Sequence, residues 1–268
     1  MKDSSDPQES QTGSALEDRA TDGPTLPRNA ASWATKVDRL QVQQREGMRG
    51  TNVAGRRLTS PIQGFGKMWQ KTYSTNLGST ASPKEVIATW KAHFPEFWPN
   101  GNRFAGALAG ISPGDLALLD LSMGGVKLTT GVFVLYADAE SFTMVTPEGH
   151  MFAGWISFSS EDIGAGTIAR AEVLMRANDP LYEVGLTFGG QRKEDRFWSQ
   201  TLTNLAQKFG VQNPVVATKS VCLDRKRQWR NARNTWQNAM IRSVFQTLIH
   251  PFGGNRRQPG GGKISPHE

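Results

Sequence analysis

A single cysteine, Cys222, stands among 268 residues, which excludes an intramolecular disulfide and any Cys-rich zinc site. No stretch approaches the ~18 uninterrupted apolar residues that a membrane span requires. The opening residues Met1–Asp6 include acidic side chains and no apolar run, so they read as neither a secretory leader nor a transit peptide. There is no Asn-x-Ser/Thr acceptor, no G-x-x-x-x-G-K-[ST] phosphate loop and no G-x-S-x-G nucleophile elbow. His93 and His150 are too isolated to suggest a metal site, and no cofactor is called for. These absences predict a cytoplasmic protein. What is present, 37% apolar and 21% charged residues, suffices for one ordinary domain with tails or for two small domains.

The net charge of +7 is unevenly placed. Residues 217–268 hold 10 Lys/Arg against 2 Asp/Glu, whereas residues 1–216 hold 21 against 22. A localised excess of this kind points to an anionic partner, and the central body needs none. Residues 1–60 are rich in small and polar residues and poor in large apolar ones, so they are expected to be a disordered N-terminal region. Trp33, Val37 and Leu40 fall at helical spacing and predict a short helix at about 31–46.

Order is expected from Ile62. Met68, Gln70 and Thr72 alternate with Trp69, Lys71 and Tyr73, which predicts a strand. Ser82, Pro83 and Glu85 form the start of a capped helix that should stop before Pro95. From Asn102 to Asn178 the period changes to two. Strands are expected near 103–108, 114–121, 126–137, 140–146, 150–160 and 166–177, with glycine-rich turns between them, as in an antiparallel meander. Asp179-Pro180 caps a second helical region in which Trp198, Leu202, Leu205 and Phe209 make an apolar stripe. A basic amphipathic helix is expected at about 223–249, and residues 251–268 as a flexible tail.

A strand, a capped helix, an aromatic turn, a run of antiparallel strands and a long helix, taken in that order, resemble the helix-grip fold of the START-like (SRPBCC) superfamily. That group includes polyketide cyclases and dehydrases and lipid-transfer domains. Gly149-His150-Met151-Phe152-Ala153-Gly154, leading into Trp155-Ile156-Ser157-Phe158, and then Gly166-Thr167-Ile168-Ala169, are similar to an uncharacterised bacterial branch of it. The resemblance implies an α+β architecture over 61–212, a curved antiparallel sheet wrapped on a long helix. Residues 213–250 would follow as a linker and the basic helix. A cavity between sheet and helix is a usual place for a small apolar ligand.

Candidate residues follow from these expectations. Trp69, Tyr73, Phe133, Phe152, Trp155, Trp198 and Leu202 are expected to bind a hydrophobic or lipid-like ligand, since aromatic faces with polar edges suit amphipathic molecules. His150 with Glu148 is the acid–base pair on offer for a cyclase/dehydrase-type enzyme, although both flank a turn glycine and could simply face solvent. Asp120, Arg103, Arg176 and Glu172 are the polar candidates within the sheet. Gly164-Ala165-Gly166-Thr167-Ile168-Ala169 matches the G-x-G-x-x-A dinucleotide fingerprint, but the polar residues before it favour a hairpin turn. Arg225, Lys226, Arg227, Arg230 and Arg233 with Trp229 and Trp236 have the makings of a contact with an anionic membrane surface, or less readily with nucleic acid.

Overall fold

The structure is a computed structural model that describes residues 29–42, 50–106, 110–123 and 126–249. Eight strands form one sheet: β1 (Met68–Asn76), β2 (Arg103–Ala105), β3 (Leu116–Met123), β4 (Val126–Ala137), β5 (Ser141–Val145), β6 (Phe152–Asp162), β7 (Thr167–Ala177) and β8 (Val216–Asp224). Their order is β2-β3-β4-β5-β6-β7-β1-β8, and every neighbouring pair is antiparallel. The meander expected over 102–178 is therefore present. Gly164 and Gly166 sit in the β6–β7 hairpin, so the dinucleotide fingerprint lacks the parallel strand it needs.

Period-two side chains divide the sheet into two faces. On β1, Lys71, Tyr73 and Thr75 are buried and Gln70 and Asn76 are exposed. On β4, Val132 and Val134 join the main core, while Phe133 packs on the opposite face. Helix α1 (Pro83–Ala92) begins with the expected capping box between Ser82 and Glu85 and lies against β6 and β7. Its Val86, Ile87 and Trp90 are fully buried. A 3-10 turn, Phe94–Phe97, follows. Asp179 then caps α2 (Pro180–Gly185), accepting from the N–H groups of Leu181 and Tyr182. A kinked turn through Gly189, whose φ of 105° is open to glycine, leads into α3 (Gln191–Lys208). Helix α3 lies against β1 and β8. The long helix over one face of a curved antiparallel sheet is the helix-grip architecture.

Two expectations need correction. Among residues 1–60, the segments 29–42 and 50–60 pack on the sheet, while 1–28 and 43–49 lie outside the described residues. No helix forms over 33–42. A 3-10 turn, Ala30–Ser32, is followed by extended chain in which Ala34 N–H donates to the Leu135 carbonyl and Trp33 meets the Tyr136 ring edge-on. Leu40 and Val53 are buried against Leu118, Phe133 and Val145. Sparse apolar residues thus suffice, because each one covers an apolar patch of the outer sheet face.

The second correction concerns the C-terminal part. Residues read as a linker form β8, an edge strand on β1. The basic stretch is not helical in the α sense. It is an irregular passage and a 3-10 segment, Trp229–Gln237, before α4 (Ala239–Ile249). Asparagine amides set that geometry. Asn231 Nδ2 donates to the carbonyls of Ile62 and Gly64, and Asn234 Nδ2 to those of Gln63 and Asn178. Asn238 accepts from the N–H groups of Met240 and Ile241, which opens α4, and donates to Asp179. Gly149 must remain glycine here: its φ is 86°, and a Cβ would stand 2.2 Å from the Gln237 carbonyl oxygen. The tail 251–268 lies outside the described residues.

If the N-terminal segment contributes to the folded state as its packing indicates, Leu40→Ala will lower stability by about 2–5 kcal/mol, the range for emptying a buried leucine site. Chemical denaturation measures this; an unchanged midpoint would mean that residues 29–60 are not part of the cooperative unit.

Candidate functional site

The inner sheet face is only partly filled. Trp90, Phe94, Phe142 and Phe158 form an aromatic cluster with ring centroids 4.6–6.0 Å apart, mostly edge-to-face. Beyond it, the start of α3 stands off the sheet and leaves a cavity of about 180 Å³. Leu119, Val132, Met144, Val173 and Met175 line it from the strands. Trp98, Phe197 and Trp198 line it from the turn and the helix. A dry cavity of about 150 Å³ suffices for a benzene-sized molecule.

Four of the expected residues, His150, Phe152, Trp155 and Trp198, lie at this cavity. The others do not. Trp69 and Tyr73 of β1 and Leu202 of α3 pack in the core between strand and helix, because the helix closes directly on β1 there. Phe133 is on the outer face, since β4 alternates, and lines a separate cleft with residues 37–41. Glu148 does not partner His150. It is held by Arg57, with the guanidinium Nε 2.9 Å from Oε1. His150 Nδ1 lies 3.0 Å from the Phe152 amide nitrogen and 3.2 Å from the Phe152 carbonyl oxygen. Burial pushes its pKa down to about 4, so it is neutral at pH 7.

The polar candidates in the sheet are accounted for locally. Arg176 is buried and donates to the carbonyls of Gly66 and Lys226 and to the Asp224 carboxylate. Asp120 accepts from Thr129 Oγ1. Arg103 is exposed and Glu172 half-buried. Of the surface set, Arg227 pairs with Glu183. Arg225, Lys226, Arg230 and Arg233 are exposed, as are Trp229 and Trp236. These residues lie on an irregular passage and a 3-10 segment rather than on a helix, and the Trp229 ring meets Phe65 edge-on.

The site's most unusual group escaped the sequence reading. Lys71 on β1 is 1% exposed. Its ammonium donates to Glu194 Oε2 at 2.9 Å and to Asp195 Oδ1 at 2.8 Å, and Tyr73 Oη donates to the same Asp195 oxygen at 2.7 Å. Glu194 is buried, lines the cavity and leaves Oε1 without a protein partner. Burial pushes its pKa up to about 7, against the pull of Lys71 and with a push from Asp195. Burial first, and then Glu194 and Asp195, raise the Tyr73 phenol well above its ordinary range. A signal did exist: Lys71 shares the period-two face of Trp69 and Tyr73, and Glu194 precedes Trp198 by four residues on the apolar stripe of α3. Among the described residues, no group of three or more His, Cys, Asp or Glu is placed to hold a metal ion.

No protein-family model and no curated protein sequence matches the chain. Solved structures similar to it include the di-domain ARO/CYC StfQ from the steffimycin biosynthetic pathway, at 11% identity and TM-score 0.42, over 54% of this chain and 53% of that one. The chain thus spans about half the length of StfQ. Major latex-like protein 151 from Panax ginseng is similar at 12% identity and TM-score 0.35, over 54% of this chain and 99% of that one. Protein NE0264 from Nitrosomonas europaea is similar at 14% identity and TM-score 0.35, over 52% and 92%. At such values the likeness concerns the course of the chain, and the helix-grip assignment rests on the sheet order and on α3.

The two buried ionisable groups act on stability in opposite senses. For His150 the folded pKa of about 4 lies below the ordinary 6.5, so the unfolded chain binds the extra proton and stability is lost as pH falls between those values. For Glu194 the folded pKa of about 7 lies above the ordinary 4.5, so stability is lost as pH rises between them. His150→Gln should therefore spare the protein roughly 3 kcal/mol of the acid-side loss between about pH 7 and pH 4. Both proteins keep Glu194, so its contribution cancels in the difference. Urea unfolding across that range tests this, and parallel stability profiles would refute it.

Proposed function

We propose that the protein binds a small hydrophobic or lipid-like molecule in the cavity between the sheet and the start of α3. The carrying observation is the cavity itself: a space with aliphatic and aromatic walls, left open inside an otherwise closely packed sheet–helix sandwich. An empty apolar space of this size costs the fold stability, because its lining atoms lack van der Waals partners. A ligand that supplies those partners recovers the loss. Phe152, Trp155 and Trp198 would flank the ligand.

A cyclase/dehydrase-type enzyme in the same cavity is the second reading. It is favoured by Glu194, a carboxyl at the cavity whose pKa of about 7 suits proton transfer at neutral pH. His150 and Glu148 together do not support it, because Arg57 holds Glu148.

The test uses delipidated full-length protein, incubated with a cell extract, repurified and analysed by mass spectrometry, alongside toluene titration monitored by tryptophan fluorescence. The expected result is recovery of an apolar small molecule and saturable toluene binding. Val173→Trp, which fills the cavity, should weaken toluene binding at least tenfold. Recovery of no molecule, or toluene binding that Val173→Trp leaves unchanged, would overturn the binding reading. A recovered molecule that returns chemically altered only when Glu194 is intact would favour the enzyme.

A further inference from the structure

A carboxylate oxygen that is buried, at the wall of an apolar cavity and without a partner is costly. Glu194 has one such atom. Its Oε2 is taken by Lys71, and its Oε1 meets no donor in the protein. Of the neighbouring donors, Tyr73 Oη donates to Asp195, and Lys71 gives one N–H to Glu194 Oε2 and one to Asp195. Trp98 adds a second unmet atom, since its indole N–H is buried without an acceptor and its ring lines the same cavity. The remaining lining is mostly aliphatic or aromatic, with Asn102, Ser122, Thr146, His150 and the exposed Lys193 as its other polar members. Two lining residues thus each carry an unpaired buried polar atom, an acceptor on Glu194 and a donor on Trp98.

From this arrangement we infer that the cavity is built for an amphipathic molecule, an apolar body of benzene-ring size or somewhat larger bearing a hydroxyl or neutral amine that donates to Glu194 Oε1. This rests on the cavity reading and narrows it to a ligand class. A hydroxyl serves best, since it can donate to the carboxylate and also accept, as from Trp98 Nε1–H. A purely aliphatic ligand would fill the volume and leave both polar atoms unmet.

Toluene and p-cresol share one apolar body and differ in the hydroxyl. Titrated into the full chain at about pH 8, p-cresol should bind at least tenfold more tightly than toluene, the ratio expected for one hydrogen bond to a charged acceptor. Glu194→Met keeps the side-chain length and removes the acceptor. It should abolish or reverse that preference while toluene still binds. Lys71→Met/Glu194→Met removes both buried charges together, so neither is left unpaired, and keeps the test available if the single variant does not fold. The double variant should behave as the single one. Equal binding of the two probes to the wild-type protein, or a p-cresol preference that survives in either variant, overturns the assignment to Glu194 and leaves the apolar cavity standing. Binding of neither probe to the wild-type protein overturns the cavity reading and this inference with it.

Discussion

A lysine on the inner face of a strand decides how α3 can lie. Lys71 is 1% exposed, comparable with the core leucines, and an unpaired ammonium there would cost several kcal/mol. Glu194 and Asp195, adjacent at the start of α3, supply its partners. Such a group adds little net stability, because desolvation of the charges offsets most of their attraction. Its effect is on placement. A helix slid along the sheet by one turn, about 5.4 Å, would strand Lys71 without a counter-charge, whereas its leucines could repack. The ionic contact therefore fixes the register of α3 on β1, and everything that α3 covers or leaves uncovered follows.

What it leaves uncovered depends on the aromatic side chains. Trp90 from α1 and Phe94 from the following turn fill the trough over β5 and β6, where Phe142 and Phe158 stack with centroids 4.6 Å apart. Further along α3, Leu202 and Leu205 close directly on the sheet side. Between these two packed regions, Phe197 and Trp198 pack on each other, on Trp98 of the turn and on Phe158 of β6. Rings braced on one another in this way cannot collapse into the gap without losing those contacts, so the space persists.

The body of the fold was legible because its signals are local. Alternation over 102–178, the glycines between strands and the Ser82–Glu85 box each specify a structure without reference to distant residues. The failures are non-local. Trp33, Leu40 and Val53 look isolated in sequence, and only the outer face of β4, about 80–100 residues away, gives them something to cover. Trp229, Ala232 and Trp236 do stand at helical spacing. Yet the backbone there is set by Asn231 and Asn234 reaching the carbonyls of the 62–64 loop, and both tryptophans end in solvent. The candidate site was half legible. Aromatic residues of β6 and α3 announce an apolar wall, but charge on an apolar face reads as an error of periodicity until its counter-charge, more than a hundred residues on, is brought to it.

The same burial explains why His150 and Glu194 do not make an ordinary acid–base couple. Each is held toward its neutral form by burial; Glu148 in the same turn as the imidazole is engaged by Arg57, and the pull of Lys71 on the carboxyl is opposed by Asp195. Their penalties grow in opposite directions of pH, so over the range where the two windows overlap one loss offsets the other, and the fold tolerates both groups. A cavity that carried full charge would hold water and reject apolar bodies. One lined only by hydrocarbon would accept any molecule of the right size. A neutral imidazole and a carboxyl poised near neutrality set two polar groups into a lining that is otherwise mostly apolar.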